Sequence, residues 1–158
     1  MRSHRYTKRD EEGERLMTHV LLVGGDVALL EGLAQSLAAQ GHAPAVSTSL
    51  AEARDLAMSD PPLALVVNRA LASSSGAELL AIPLAAGGAR ILYRAATIPL
   101  APLLPALQRS VLADLTLPLE RHRLAALVQS LGERARATGR DLPRAPGETE
   151  RGSRGELR

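Results

Sequence analysis

Two adjacent glycines, Gly24-Gly25, close the apolar run His19-Val20-Leu21-Leu22-Val23 and precede a segment with helical spacing. A glycine turn between a strand and a helix can present backbone N–H groups to a phosphate, which makes the pair the first candidate for chemistry. Neither the G-x-G-x-x-G fingerprint nor a Walker lysine accompanies it, so nucleotide binding competes with a plain tight turn. Asp26 reads as a helix cap or as a lone metal ligand, and a lone carboxylate holds magnesium poorly. His4, His19, His42 and His122 stand on separate segments without ligand-like spacing. Ser73-Ser74-Ser75 lacks the G-x-S-x-G context of a nucleophile and reads as loop. The absence of cysteine excludes disulfides, thiol catalysis and Cys-ligated zinc, and fits a reducing cytoplasm. These residues predict a protein that is not an enzyme and uses no metal or cofactor.

With 158 residues, the chain has room for one domain with a sizeable core. Apolar residues make up 46% but include only two aromatics, Tyr6 and Tyr93, so the core must be aliphatic. The pI of 9.6 suggests a basic protein, yet the charge is spread in a way that argues otherwise. Residues 19–131 carry seven basic and eight acidic side chains, and the excess of positive charge lies outside them. A nucleic-acid binder clusters Lys and Arg on a folded face, so no direct nucleic-acid partner is expected. No apolar stretch reaches the roughly 18–20 residues of a membrane span, and residues 1–16 contain no signal-peptide core. Residues 1–18 are polar enough to be disordered, or to lie outside the translated protein if Met17 is the start. Residues 138–158 read as a disordered charged tail, leaving 19–137 as the domain.

Within that domain, strand-like and helix-like segments alternate, which predicts repeated βα units and a parallel sheet. Strands are expected at 19–23, 43–46, 63–67, 90–93 and 111–115. The first and third are continuous apolar runs suited to burial on both faces. Leu29, Leu30, Leu33 and Leu37 mark a first helix that Gly41 ends. Ser49 caps a second helix over 50–59, with Glu52 as a capping-box partner. Small residues Ala72 to Gly76 read as a loop before a third helix near 77–85, which Pro83 disturbs. Pro99, Pro102 and Pro105 limit the fourth helix to a short one starting at Pro102 or Pro105. The last helix is expected from Leu119 to about Ala137. The result is an α/β fold: a single flavodoxin-like three-layer sandwich whose five-stranded parallel sheet has the order 2-1-3-4-5. Ligands in such folds bind at the carboxyl ends of the strands, near Gly24-Gly25, Asn68 and Arg94.

Over residues 19–131 the chain resembles the receiver domain of response regulators, the CheY-like family. HVLLVGGD stands where receivers have an apolar strand ending in an acidic pair, and LAQSLAAQGH matches their first helix. PPLALVVN stands where they carry a proline, a strand and the phosphate-accepting aspartate. Leu115-Thr116-Leu117-Pro118-Leu119 stands where they carry a lysine and a cis proline. The resemblance implies a site at which acids hold magnesium, a lysine and a hydroxyl bind the phosphoryl group, and an aromatic switches inward. Each such position departs here: Gly24 and Gly25 replace the acidic pair, Asn68 the acceptor, Arg94 the hydroxyl, Leu117 the lysine and Asp114 the switch aromatic.

The expectation is a degenerate, phosphorylation-independent pseudo-receiver: a cytoplasmic protein–protein interaction module in bacterial two-component-type signalling. Its partner is another signalling protein or a second copy, met through the fourth helix, fifth strand and fifth helix. Two alternatives stay open: a receiver still responsive to phosphorylation, and a small-ligand or nucleotide module using the glycine turn. Asn68 either satisfies hydrogen bonds at a strand end or mimics a neutral acceptor that locks one state. Arg94 either pairs with Asp26 or Asp114 across the vacated acidic pocket or reaches solvent.

Overall fold

The structure, a computed structural model, describes residues 17–99 and 102–141. Five strands, β1 (His19–Val23), β2 (Ala43–Ser47), β3 (Ala64–Asn68), β4 (Ala89–Arg94) and β5 (Val111–Thr116), form one sheet. All pairings are parallel and the order is β2-β1-β3-β4-β5, the flavodoxin-like arrangement that the alternating pattern predicts. The helices are α1 (Val27–Ala39), α2 (Leu50–Ser59), α3 (Arg69–Ser74), α4 (Gly76–Leu80), α5 (Pro105–Ser110) and α6 (Arg121–Asp141).

Strand side chains alternate between two faces, and helices cover both, which explains why β1 and β3 are apolar throughout. Val20, Leu22, Val66, Ile91, Tyr93 and Leu115 face one way, against Leu30, Leu33 and Leu37 of α1 and Leu124 and Val128 of α6. Leu21, Val23, Leu65, Val67 and Leu92 face the other way, against α2, Ala72 of α3, Leu79 of α4 and Leu107 of α5. Each fully buried leucine contributes about 2 kcal/mol of hydrophobic stabilisation. The three layers therefore follow from sequence pattern.

Several helix ends follow from single residues. Gly41 adopts φ +94, and the Gly41 and His42 N–H groups donate to the Ala38 and Leu37 carbonyls, closing α1. The Ser49 hydroxyl accepts from the Glu52 N–H at 3.1 Å, as expected of a cap. Glu52 reaches back to the Thr48 N–H and the Ser47 hydroxyl, both at 3.3 Å, one residue further than a standard capping box. Pro105 occupies the first turn of α5, where its fixed φ and missing N–H are tolerated.

Four expectations need correction. Asp26 stands at the N-cap of α1 but its side chain makes no cap bond; its ψ of 73 is not the extended value that swings a carboxylate over the first amides. Residues Ala72 to Ser74 are helical rather than loop, because Asn68 starts α3 and the Ser73 and Ser74 hydroxyls donate back to its carbonyls. The third expected helix stops at Leu80 instead of 85, since Pro83 disfavours helical geometry at the residue before it. The last helix begins at Arg121 and runs on to Asp141, beyond the expected end at Ala137. The readings of residues 1–16 and 142–158, and of positions 100 and 101 in the proline-rich stretch, lie outside the described residues.

Candidate functional site

The carboxyl ends of β1, β3 and β4 bring Gly24, Asn68 and Tyr93 together. Asn68 and Tyr93 are register partners on neighbouring strands. Gly24 is buried and continues the β1–β2 ladder, its N–H donating to the Ser47 carbonyl at 3.0 Å. A Cβ built on Gly24 would collide with the Tyr93 hydroxyl and lie 3.3 Å from both Tyr93 Cζ and Asn68 Cβ. Gly25 has open space around the same position. The Tyr93 ring is fully buried, so the space belonging to an acidic side chain at 24 is already occupied by a phenol.

The Tyr93 hydroxyl finds no partner at hydrogen-bond geometry. The Asn68 oxygen nearby is engaged, accepting from the Ala70 N–H at 2.8 Å as the N-cap of α3. Burial pushes the Tyr93 pKa up to about 12; the Asn68 side chain pulls it back and the Asp26 carboxylate adds to the rise. Asn68 therefore satisfies one backbone donor at a strand end, in line with the plainer of its two readings.

Arg69, which the sequence reading passed over, follows Asn68 directly. Its guanidinium donates to the Asp114 carboxylate on β5 and forms an ion pair with it. The Arg69 side chain is 10% exposed and that of Asp114 33%. Ala113 and Leu115 face α1 and α6, so alternation sends Asp114 to the opposite face, where Arg69 arrives from the end of β3. The position where the resemblance places a switch aromatic thus holds the more exposed half of a part-buried ion pair.

Arg94 does not pair with Asp26 or Asp114, which sets aside one of its two readings. Its guanidinium donates to the carbonyls of Ile98 at 3.0 Å and Ala95 at 3.4 Å, within its own loop. Arg94 lies two residues beyond Asp114's register partner Leu92, and Arg69 has already taken that carboxylate. Leu117 is buried in the core beside Leu115 and Leu124, and the Leu117–Pro118 peptide is cis. Glu120 accepts from the Thr116 N–H at 2.7 Å, and that bond, with Arg123 and Arg94 nearby, holds its carboxyl below the usual range.

A magnesium site, which the resemblance implies for acidic residues here, does not fit this arrangement. Magnesium takes oxygen ligands, usually from one or two carboxylates plus water or phosphate. Positions 24 and 25 offer no side chain, the Asn68 oxygen is engaged, and a phenol fills the volume beside position 24. Among the described residues no cluster of three or more His, Cys, Asp or Glu could hold a metal. The glycine turn is also poorly placed to cradle a phosphate. The Gly24 N–H belongs to the sheet, and the Val27 N–H donates to the Gly25 carbonyl at 2.9 Å. No described helix is long and apolar enough to cross a membrane.

The architecture is the CheY-like, flavodoxin-like α/β fold, and solved structures share it. The response regulator receiver domain protein (CheY-like) from Methanospirillum hungatei JF-1 is 16% identical, with a TM-score of 0.59 over 78% of this chain and 99% of that one. The receiver domain (CheY-like) from Methylobacillus flagellatus is 16% identical, with a TM-score of 0.59 over 73% of this chain and 98% of that one. A response regulator protein from Burkholderia pseudomallei, solved with a phosphorylated aspartic acid, a calcium ion and citrate, is 18% identical. Its TM-score is 0.58 over 77% of this chain and 72% of that one. By sequence, neither a protein-family model nor a curated protein matches the chain.

Proposed function

We propose that this chain is a phosphorylation-independent pseudo-receiver that works by binding another protein in bacterial two-component-type signalling. The observation that supports this most is the filled pocket at Gly24. Where a receiver resemblance calls for carboxylates and an ion, a neutral phenol occupies the space, and Asn68 stands at the acceptor position as a helix cap. The Burkholderia structure carries both a phosphorylated aspartic acid and a calcium ion. In this chain, neither the charge for the ion nor the nucleophile for the phosphoryl group is present at the matching positions.

The partner surface we assign is the stretch from the end of β4 to the start of α6. Among the described residues eight large apolar side chains are exposed, and Ile98, Leu104, Leu112 and Leu119 are four of them. Their concentration in one stretch supports an interaction face, with another signalling protein or a second copy as partner. The decisive experiment is an amide-shift titration of the full chain with magnesium and beryllofluoride, a mimic of the phosphoryl group. No saturable shifts at Gly25, Asn68 or Arg94 is the expected result. Saturable shifts there would overturn the assignment in favour of a phosphorylation-responsive receiver.

A further inference from the structure

The pocket at the strand ends holds an oddity that the loss of acidic residues does not by itself explain. Tyr93 is one of only two aromatic residues in the chain, both tyrosines, and its ring is fully buried while its hydroxyl meets no partner at hydrogen-bond geometry. The neighbouring Asn68 oxygen lowers the Tyr93 pKa but already accepts from the Ala70 N–H, so hydrogen bonding accounts poorly for the placement. Volume accounts for it. The oxygen lies where a side chain on Gly24 would begin, and the ring carbon behind it would stand 3.3 Å from that side chain. Leu22, Val66, Ile91 and Leu115 belong to the same packed core as the ring, so the phenol cannot swing away without disrupting them. The exclusion is local, since nothing lies within 4 Å of a Cβ on neighbouring Gly25.

We infer that Tyr93 is a built-in plug: it takes the volume of the missing side chain at position 24 and keeps the pocket closed to divalent cations even when carboxylates are restored. This rests on the reading of the chain as a pseudo-receiver and adds to it. Loss of the acids alone would leave a site that a few substitutions revive. A plugged site also has to be emptied, so Tyr93 decides whether the position can hold a cation at all.

Two measurements on the full chain test the plug. The first is a thermal-stability cycle. Gly24→Ala lowers Tm by roughly 5–10 °C, because the new methyl overpacks against the hydroxyl. Adding Tyr93→Phe, which removes only that oxygen, restores most of the loss. An equal loss with and without the hydroxyl overturns the inference. The second is calorimetric titration with magnesium chloride of Gly24→Asp/Gly25→Asp/Asn68→Asp, alone and combined with Tyr93→Val. With Tyr93 in place no saturable binding is expected at millimolar magnesium, and its replacement tightens binding by at least about tenfold. Equal binding by both proteins, or none by either, shows that Tyr93 does not control access and overturns the inference. Should the acidic variant fail to fold, the Gly24→Ala cycle decides alone. Magnesium binding by the unaltered chain is a separate outcome, which overturns phosphorylation independence itself.

Discussion

The pocket at Gly24 and the pair at Asp114 stand at two positions where a receiver resemblance calls for functional groups, and the molecule has filled them by opposite means. At Gly24 a missing side chain is replaced by volume, in the form of the buried Tyr93 ring. At Asp114 a missing aromatic is replaced by a carboxylate, which Arg69 neutralises from the end of β3. The first region depends on packing, whose strength follows shape and cavity volume. The second depends on charge, whose strength follows desolvation and geometry. A position that departs from the resemblance is thus not an empty one. The kind of residue that fills it determines which perturbations the region resists.

The largest expected effect comes from breaking the packed region. Tyr93→Ala should cost about 3–5 kcal/mol in urea unfolding, because the core around the ring can collapse only partly. Alkali probes the same region. The folded phenol titrates near 12, above its unfolded value of 10.0, so its contribution to stability is complete below pH 10 and is lost as pH rises towards 12. Tyr93→Phe should remove that part of the alkaline slope while leaving the fold intact. An unchanged slope would mean that the phenol is less enclosed than its burial indicates.

The ion pair comes next. Asp114→Ala leaves the buried Arg69 without its carboxylate and should cost about 2 kcal/mol, less than for a fully buried pair because Asp114 is partly exposed. Arg69→Met/Asp114→Leu should recover most of that loss, as apolar residues replace buried charges well. Raising salt should narrow the difference between Asp114→Ala and the unaltered chain, and leave that for Tyr93→Ala unchanged. If both differences respond alike to salt, the contrast between packing and charge fails.

The sequence revealed the parts of this contrast that local pattern encodes. Five-residue apolar runs mark β1 and β3, and Ser49 three positions before Glu52 marks the start of α2, because those signals span a few residues. Spacing along those elements also singled out Gly24, Gly25, Asn68, Arg94, Leu117 and Asp114 as the positions that depart from the resemblance. The residues that fill them were not legible. Arg69 and Asp114 are 45 positions apart, and only the strand order brings the end of β3 over to β5. A charged residue between an apolar strand and an apolar turn of helix was the available signal, with Asp114 as the matching charge in an apolar strand. Tyr93 was legible as a strand residue, but its reach to Gly24 across β3 depends on the side-chain direction within the core. The pairs that one reading gave Arg94 did not form, for a related reason. Charge complementarity named Asp26 and Asp114, whereas the nearest acceptors were carbonyls of its own loop.

A smaller effect separates capping from chemistry at Asn68. Asn68→Ala removes the acceptor for the Ala70 N–H and should cost about 1 kcal/mol, read as faster amide exchange through α3. Asn68→Asp should keep the stability, since aspartate caps as well as asparagine. A loss on Asn68→Asp as large as on Asn68→Ala would show that the neutral amide itself is required, as in a locked mimic of an unmodified acceptor. Retained stability leaves the cap as a sufficient account of the residue and sharpens the contrast with Tyr93, whose effect follows from volume.

Arg94→Ala should have the smallest effect on stability, a few tenths of a kcal/mol, because its guanidinium donates to carbonyls at the surface rather than to a buried charge. Its consequence is local. The bonds to Ala95 and Ile98 brace the loop after β4, and Ile98 is one of the exposed apolar residues on the assigned partner face. Amide exchange at residues 95–98 should therefore quicken while exchange in β4 and β5 stays as it was. Binding of the eventual partner should weaken through the disordered loop, with the unfolding midpoint almost unmoved. A large loss of stability would instead place Arg94 with Arg69, as a charge the core depends on, and would extend the ion-pair region to the end of β4.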